Sequence, residues 1–436
     1  MAVHRQPGTV ITDHTFAVPL DHAEPGGEQI EVYAREVVAA GKEHDRLPWL
    51  LYLQGGPGGR SPRPLGRDSW LTRALDDYRV LLLDQRGTGR STPATRQTLP
   101  ARGDAAAQAR YLAHFRGDSI VRDCEVVRRN LLGDEGRWSL LGQSFGGFCS
   151  VTYLSFAPEG LREVLITGGL PGLRSSADDV YRAAYPRIER KNLAHYARYP
   201  EDVAAVQEIV RHLSARDVAL PGGGLLTPEA FQAVGLMLGS GSGSHTLHYL
   251  IEDAFTMTPS GPRLSDTFLS QVQGHVSFMG NPLYAVMHEA IYGQLSVSPA
   301  ATGWAAERVR AEFPQFDAAA AVADGRPVLL TGETIHPWMF ATDPALQPLR
   351  ETAELLAQHE KWPDLYDAAR LARNDVPVAA AIYHDDMYVE TADSLATART
   401  IRGLRTWVTD EYEHDGLRVS GGQVLDRLIR LVRGEL

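Results

Sequence analysis

The chain of 436 residues is 44% hydrophobic, enough to bury a large core, and its length leaves room for two or three domains. Lys and Arg number 43 against 54 Asp and Glu, a net charge of −11, which excludes the electrostatic footprint of a nucleic-acid or anionic-membrane binder. Two cysteines exclude a disulfide framework; no apolar run reaches the roughly 20 residues of a membrane span, and the opening MAVHRQPGTVITDHTF lacks a secretory h-region, so a cytoplasmic protein is expected.

In chain order, HTFAVPLDH (14–22) and EQIEVYAREVVAA (28–40) alternate like two antiparallel strands around a Pro-Gly-Gly turn. LPWLLYL (47–53) and YRVLLLD (78–84) are short continuous apolar runs bounded by glycine-rich loops, the pattern of strands buried on both faces of a parallel sheet. DSIVRDCEVVRRNLL (118–132) reads as a helix with Ile120, Cys124, Val127 and Leu131 on one face. RWSLLGQS (137–144) and LREVLITGG (161–169) return as strands, and the alternation predicts an α/β, doubly wound core with a mostly parallel sheet. From about 174 to 375 helical periodicity dominates, interrupted by LGSGSGSH (238–245), which reads as a flexible connection. Strand patterns resume in VPVAAAIYHDD (376–386) and LRTWVTDEYEHDG (404–416), before a terminal helix. The organisation expected is a core segment 1–170, a mainly helical cap 171–375 and a second core segment 376–436.

Chemistry in an open α/β sheet belongs at the carboxyl ends of the strands. Gly142-Gln143-Ser144-Phe145-Gly146 fits G-x-S-x-G, in which a serine sits on a sharp strand-to-helix turn flanked by small residues. The loop Gln54-Gly55-Gly56-Pro57-Gly58-Gly59 closes an earlier strand; a Gly56 N–H paired with that of Phe145 would supply the two donors of an oxyanion hole. Asp84 and Arg86, in DQRGTG, are read as an internal ion pair bracing these loops. A serine triad on such a fold runs nucleophile, acid, histidine. Asp385 and Asp386 stand just past one late strand and His414 past the next; the residues alone leave the choice of aspartate open.

Taken together and in this order, GGPGG, DQRGTG, GQSFGG, YHDDMYV and EYEHDGLR resemble the longer bacterial form of the proline iminopeptidase family, serine peptidases of α/β-hydrolase fold. The resemblance covers 47–170 and 376–416 well and the intervening segment more loosely. It implies Ser144 as nucleophile, His414 as base and, as the aspartate directly before Met387, Asp386 as acid. One departure is Gln54, where related peptidases begin the oxyanion loop with histidine.

The resemblance further implies release of an N-terminal residue, preferably proline, from short peptides. It also implies cap glutamates that read the substrate ammonium, since a charge taken from water needs a counter-charge. Glu289, in NPLYAVMHEAIYGQ, is the first candidate, with Glu252 and Glu333 behind it. HEAIY (288–292) begins like H-E-x-x-H but has Tyr292 in place of the second ligand, and His245 and His248 lack a third, so no metal and no cofactor is expected. The partners expected are short peptides with a free N-terminus, not nucleic acid or membrane, with the oligomeric state open. An esterase, amidase or broader aminopeptidase would use the same triad, and a noncatalytic binding protein could share the scaffold.

Overall fold

The computed structural model describes residues 2–67 and 69–436. Its strands are β1 (Val3–Gln6), β2 (Thr9–Pro19), β3 (Gln29–Ala39), β4 (Trp49–Leu53), β5 (Arg79–Leu83), β6 (Trp138–Gln143), β7 (Leu161–Thr167), β8 (Phe255–Thr258), β9 (Gly261–Leu264), β10 (Val378–Tyr383) and β11 (Leu404–Thr409). Nine of them form one sheet in the order β1-β2-β3-β5-β4-β6-β7-β10-β11. The first three are antiparallel to their neighbours, and the rest run parallel.

The continuous apolar runs are explained by burial on both faces. Leu51, Leu53, Leu81, Leu83, Leu140 and Ile166 pack on one side with residues of the helices Gly117–Leu132 and Phe145–Phe156. Their chain neighbours Leu50, Tyr52, Val80, Leu82, Leu141 and Leu165 pack on the other side against Trp70, Leu75, Leu425 and Leu428. Alternate side chains of a strand point to opposite faces, so helices covering both faces require apolar residues at every position.

Between β7 and β10 the named elements are helices except for the β8–β9 hairpin, which periodicity alone does not anticipate. The long helix Ala177–Arg198 opens on a capping box, Ser176 accepting from the Asp179 N–H while the Asp179 carboxylate accepts from that of Ser176. Its Tyr181, Tyr185 and Ile188 join Phe231, Phe268 and Phe316 in a separate core. Leu283, Ile335 and Trp362 instead pack with Leu112 and Phe115 of the first core segment.

Two local expectations are corrected. Asp84 and Arg86 do not pair with each other: Asp84 receives both terminal nitrogens of Arg63 at 2.8 and 2.6 Å, whereas Arg86 Nε donates to Asp123 at 2.7 Å. Each needs an opposite charge because both are fully buried, and each finds it on a different element. Nor is 238–245 a flexible connection. It closes the turn Ala233–Gly239 and opens the helix Gly243–Glu252, and between them the Gly241 N–H donates to Asp415, at 3.2 Å from Oδ1.

Candidate active site

Ser144 stands between β6 and the helix Phe145–Phe156 with φ 55° and ψ −125°, a region non-glycine residues avoid at a cost of about 1–3 kcal/mol. Its N–H donates to Thr167 O at 3.0 Å, tying the turn to β7. Glycine follows two residues later because a Cβ at Gly146 would lie 1.9 Å from Leu53 O. On the other side, a Cβ at Gly55 would lie 2.8 Å from Ser144 Cβ. The backbone of the 54–59 loop is therefore pressed directly against the serine.

Phe145 is the first residue of its helix, so its N–H is among those a helix leaves without an internal acceptor. The Gly56 N–H, in the facing loop, donates to no acceptor among the described residues. Gln54, the departure from the related pattern, turns its carboxamide back to accept from Tyr52 OH at 2.8 Å.

The two aspartates differ in burial and direction. Asp386 is 2% exposed and its Oδ2 lies 2.7 Å from His414 Nδ1, whereas the Asp385 side chain is 61% exposed beside His384. Asp386 Oδ1 accepts the N–H groups of Tyr388 and Val389 at 2.8 and 3.1 Å, which fixes the carboxylate within its own loop. His414 Nε2 faces the serine's neighbour, the Gln143 carboxamide, at 3.4 Å, and the Tyr388 ring meets the imidazole edge-on at 4.8 Å. Gln143 and Tyr388 were not singled out from sequence; both lie beside motif residues, but nothing in their spacing marks their direction.

Burial works against an imidazolium at His414, but the charge and hydrogen bond of Asp386, with a smaller contribution from Glu333, outweigh it and raise the pKa above the ordinary histidine value. An NMR titration of His414 should therefore give a midpoint above about 6.5. A midpoint below that value would mean that burial wins over the carboxylates.

The three glutamates fall in three different settings. Glu333 accepts from Tyr284 OH at 2.5 Å, and its charge acts on His414, His288, Tyr181, Tyr292 and Tyr388. Two of these tyrosines end an edge-on series in which Phe145, Phe148, Tyr292 and Tyr181 follow one another at 6.3 Å centroid spacings. Glu289, the first choice from sequence, is buried, and its Oε1 accepts the Ala306 N–H at 3.0 Å, anchoring the start of the helix Ala305–Arg310. Desolvation raises its pKa. Glu252 is a correction: it is exposed at the end of the helix Gly243–Glu252, and its charge is felt at Asp202 rather than at His414. His288 is buried between Tyr284 and Tyr292, with ring centroids 4.9 and 6.0 Å away. Among the described residues no group of three or more His, Cys, Asp or Glu is placed to hold a metal ion.

A family model described as the alpha/beta hydrolase fold matches residues 48–208. Over 421 residues, 96% of each chain, the sequence is 51% identical to a proline iminopeptidase of Aeromonas sobria. The chain belongs to the proline iminopeptidase family. A second proline iminopeptidase, from Aspergillus aculeatus, is 37% identical over 98% of this chain and 95% of its own. Full-length similarity at these levels spans the segment between β7 and β10 as well as the sheet, so the proline iminopeptidase likeness is not confined to the hydrolase core. No helix among the described residues is long and apolar enough to cross a membrane.

Proposed function

We propose that the protein releases an N-terminal residue, preferably proline, from short peptides through an acyl-enzyme on Ser144. His414 Nε2 takes the serine proton as Oγ attacks the first peptide carbonyl, and then delivers it to the leaving amine. Asp386 keeps the Nδ1 proton in place and stabilises the imidazolium. The N–H groups of Phe145 and Gly56 receive the oxyanion. Water then attacks the acyl-enzyme with His414 as base, and proline departs.

The observation that carries this reading is Glu333, a half-buried carboxylate that accepts from Tyr284 OH and whose charge contributes to raising the His414 pKa. A free N-terminal ammonium one residue from the scissile bond meets a counter-charge there, and the aromatic faces suit a compact pyrrolidine ring. Glu333 is the proposed ammonium partner, with Glu289 holding the helix behind Tyr181. The segment 171–375 is the proposed cap that limits entry to short peptides. Cytoplasmic residence belongs to the same proposal and is supported by two free, buried thiols, Cys124 and Cys149.

Proline p-nitroanilide, its N-acetylated form and alanine p-nitroanilide, assayed side by side, test the reading. Loss of a buried charge pairing costs about 2–5 kcal/mol, so acetylation should lower kcat/KM by roughly 30-fold or more. Equal cleavage of free and acetylated substrate would instead indicate an esterase or amidase with the same triad.

A further inference from the structure

The two loops that carry Asp386 and His414 are held by the helical segment as well as by the sheet. On the helix Ala177–Arg198, Arg187 and Lys191 stand one turn apart, so both project from one side. Arg187, 6% exposed, lies in ion-pair contact with Glu390 in the loop that follows Asp386, although its guanidinium nitrogens make no hydrogen bond among the described residues. Lys191 Nζ lies 2.5 and 2.6 Å from the two carboxylate oxygens of Glu413, the residue before His414. The turn Ala233–Gly239 adds backbone ties to the same loops: His414 N–H donates to Gly239 O at 3.2 Å, and Tyr388 OH donates to Leu236 O.

We propose that Arg187 and Lys191 are positioning residues for the acid–base pair. The proposal rests on the reading of Asp386 and His414 as that pair. Each cation grips one of two loops that come from different strands, and a single rigid helix joins the grips. The spacing of the loops, and with it the 2.7 Å contact between Asp386 and His414, is then set by the helix. A contact that depends on two independently mobile loops is lost with small displacements, and misplacement by about 1 Å can cost 100-fold in rate. Neither cation touches the reacting atoms, so the effect belongs to the chemical step and not to recognition of the ammonium by Glu333.

The test uses the full-length enzyme with Lys191→Met, Glu413→Gln, the double variant and Lys191→Arg. Expected are a fall in kcat of tenfold or more for each single variant, KM for proline p-nitroanilide within twofold, no further loss in the double variant, and recovery in Lys191→Arg. The low-field NMR resonance of the His414 Nδ1 proton should shift or broaden in Lys191→Met and Arg187→Met. This readout needs no substrate, so it tests the positioning even if the peptidase reading fails. An unchanged resonance with kcat within twofold of wild type overturns the proposal. So does a loss in which kcat and KM both worsen in step with the thermal midpoint, because that pattern marks a merely structural ion pair. Glu413→Gln keeps the inference testable if a helix variant does not fold.

Discussion

Ser144→Ala should abolish turnover of proline p-nitroanilide, lowering kcat by roughly 10⁶-fold, while the protein still folds and binds substrate. The Oγ has no hydrogen-bond partner among the described residues, so removing it leaves no buried group unsatisfied. Stability should change by no more than about 0.5 kcal/mol. The positive φ of 55° is imposed by the turn and is carried equally by alanine. Residual cleavage over the background in water would come from the oxyanion donors and from substrate binding. Kinetics and thermal unfolding of the same preparation check both halves, and turnover within tenfold of wild type would refute Ser144 as the nucleophile.

Asp386→Asn should cost roughly 10⁴-fold in kcat with a correctly folded loop. An asparagine can keep its carbonyl oxygen on the Tyr388 and Val389 N–H groups that Oδ1 now receives. Its amide nitrogen then faces His414 Nδ1 in place of Oδ2 and donates where a proton acceptor stood. The imidazole must adopt the other tautomer, with a proton on Nε2, and can no longer take one from Ser144. Asp385→Asn is the matched control: its side chain is 61% exposed, and kcat should stay within about twofold. Comparable losses in the two variants would show that the acid is not selected by burial.

The sheet was legible because a strand covered on both faces must be apolar throughout, and the runs 47–53, 78–84 and 376–383 have no other economical reading. The serine turn was legible for a different reason, since Gly146 has room for nothing larger beside Leu53 O. What failed to show depends on direction in space. Asp385 and Asp386 are equivalent in sequence, and one peptide unit turns one to solvent and the other to His414. Glu252 follows Leu250 and Ile251, Glu289 lies between apolar helical positions and Glu333 comes after an apolar run, but a periodicity gives a face without saying what covers it. The Gly-Ser stretch 238–245 looked loose by composition, whereas its anchor, Asp415, lies 174 residues further on. Arg86 likewise has its partner on another element, at Asp123.

The position of β10 beside β7, with the whole helical segment intervening, gives the reaction an order in time. About two hundred residues must leave the ribosome between these two neighbouring strands, and closing so long a loop costs only slightly more than closing a short one. At roughly 5–20 residues per second, on the order of 15–55 s separate synthesis of Ser144 from that of His414. With His414 as the proposed base, the serine would have nothing to activate it throughout that interval. On the proposed roles of Ser144 and His414, a nascent chain with a completed serine turn would be unable to cleave peptides around it, and competence would come only when the final strands dock, after the segment proposed as the cap has been made.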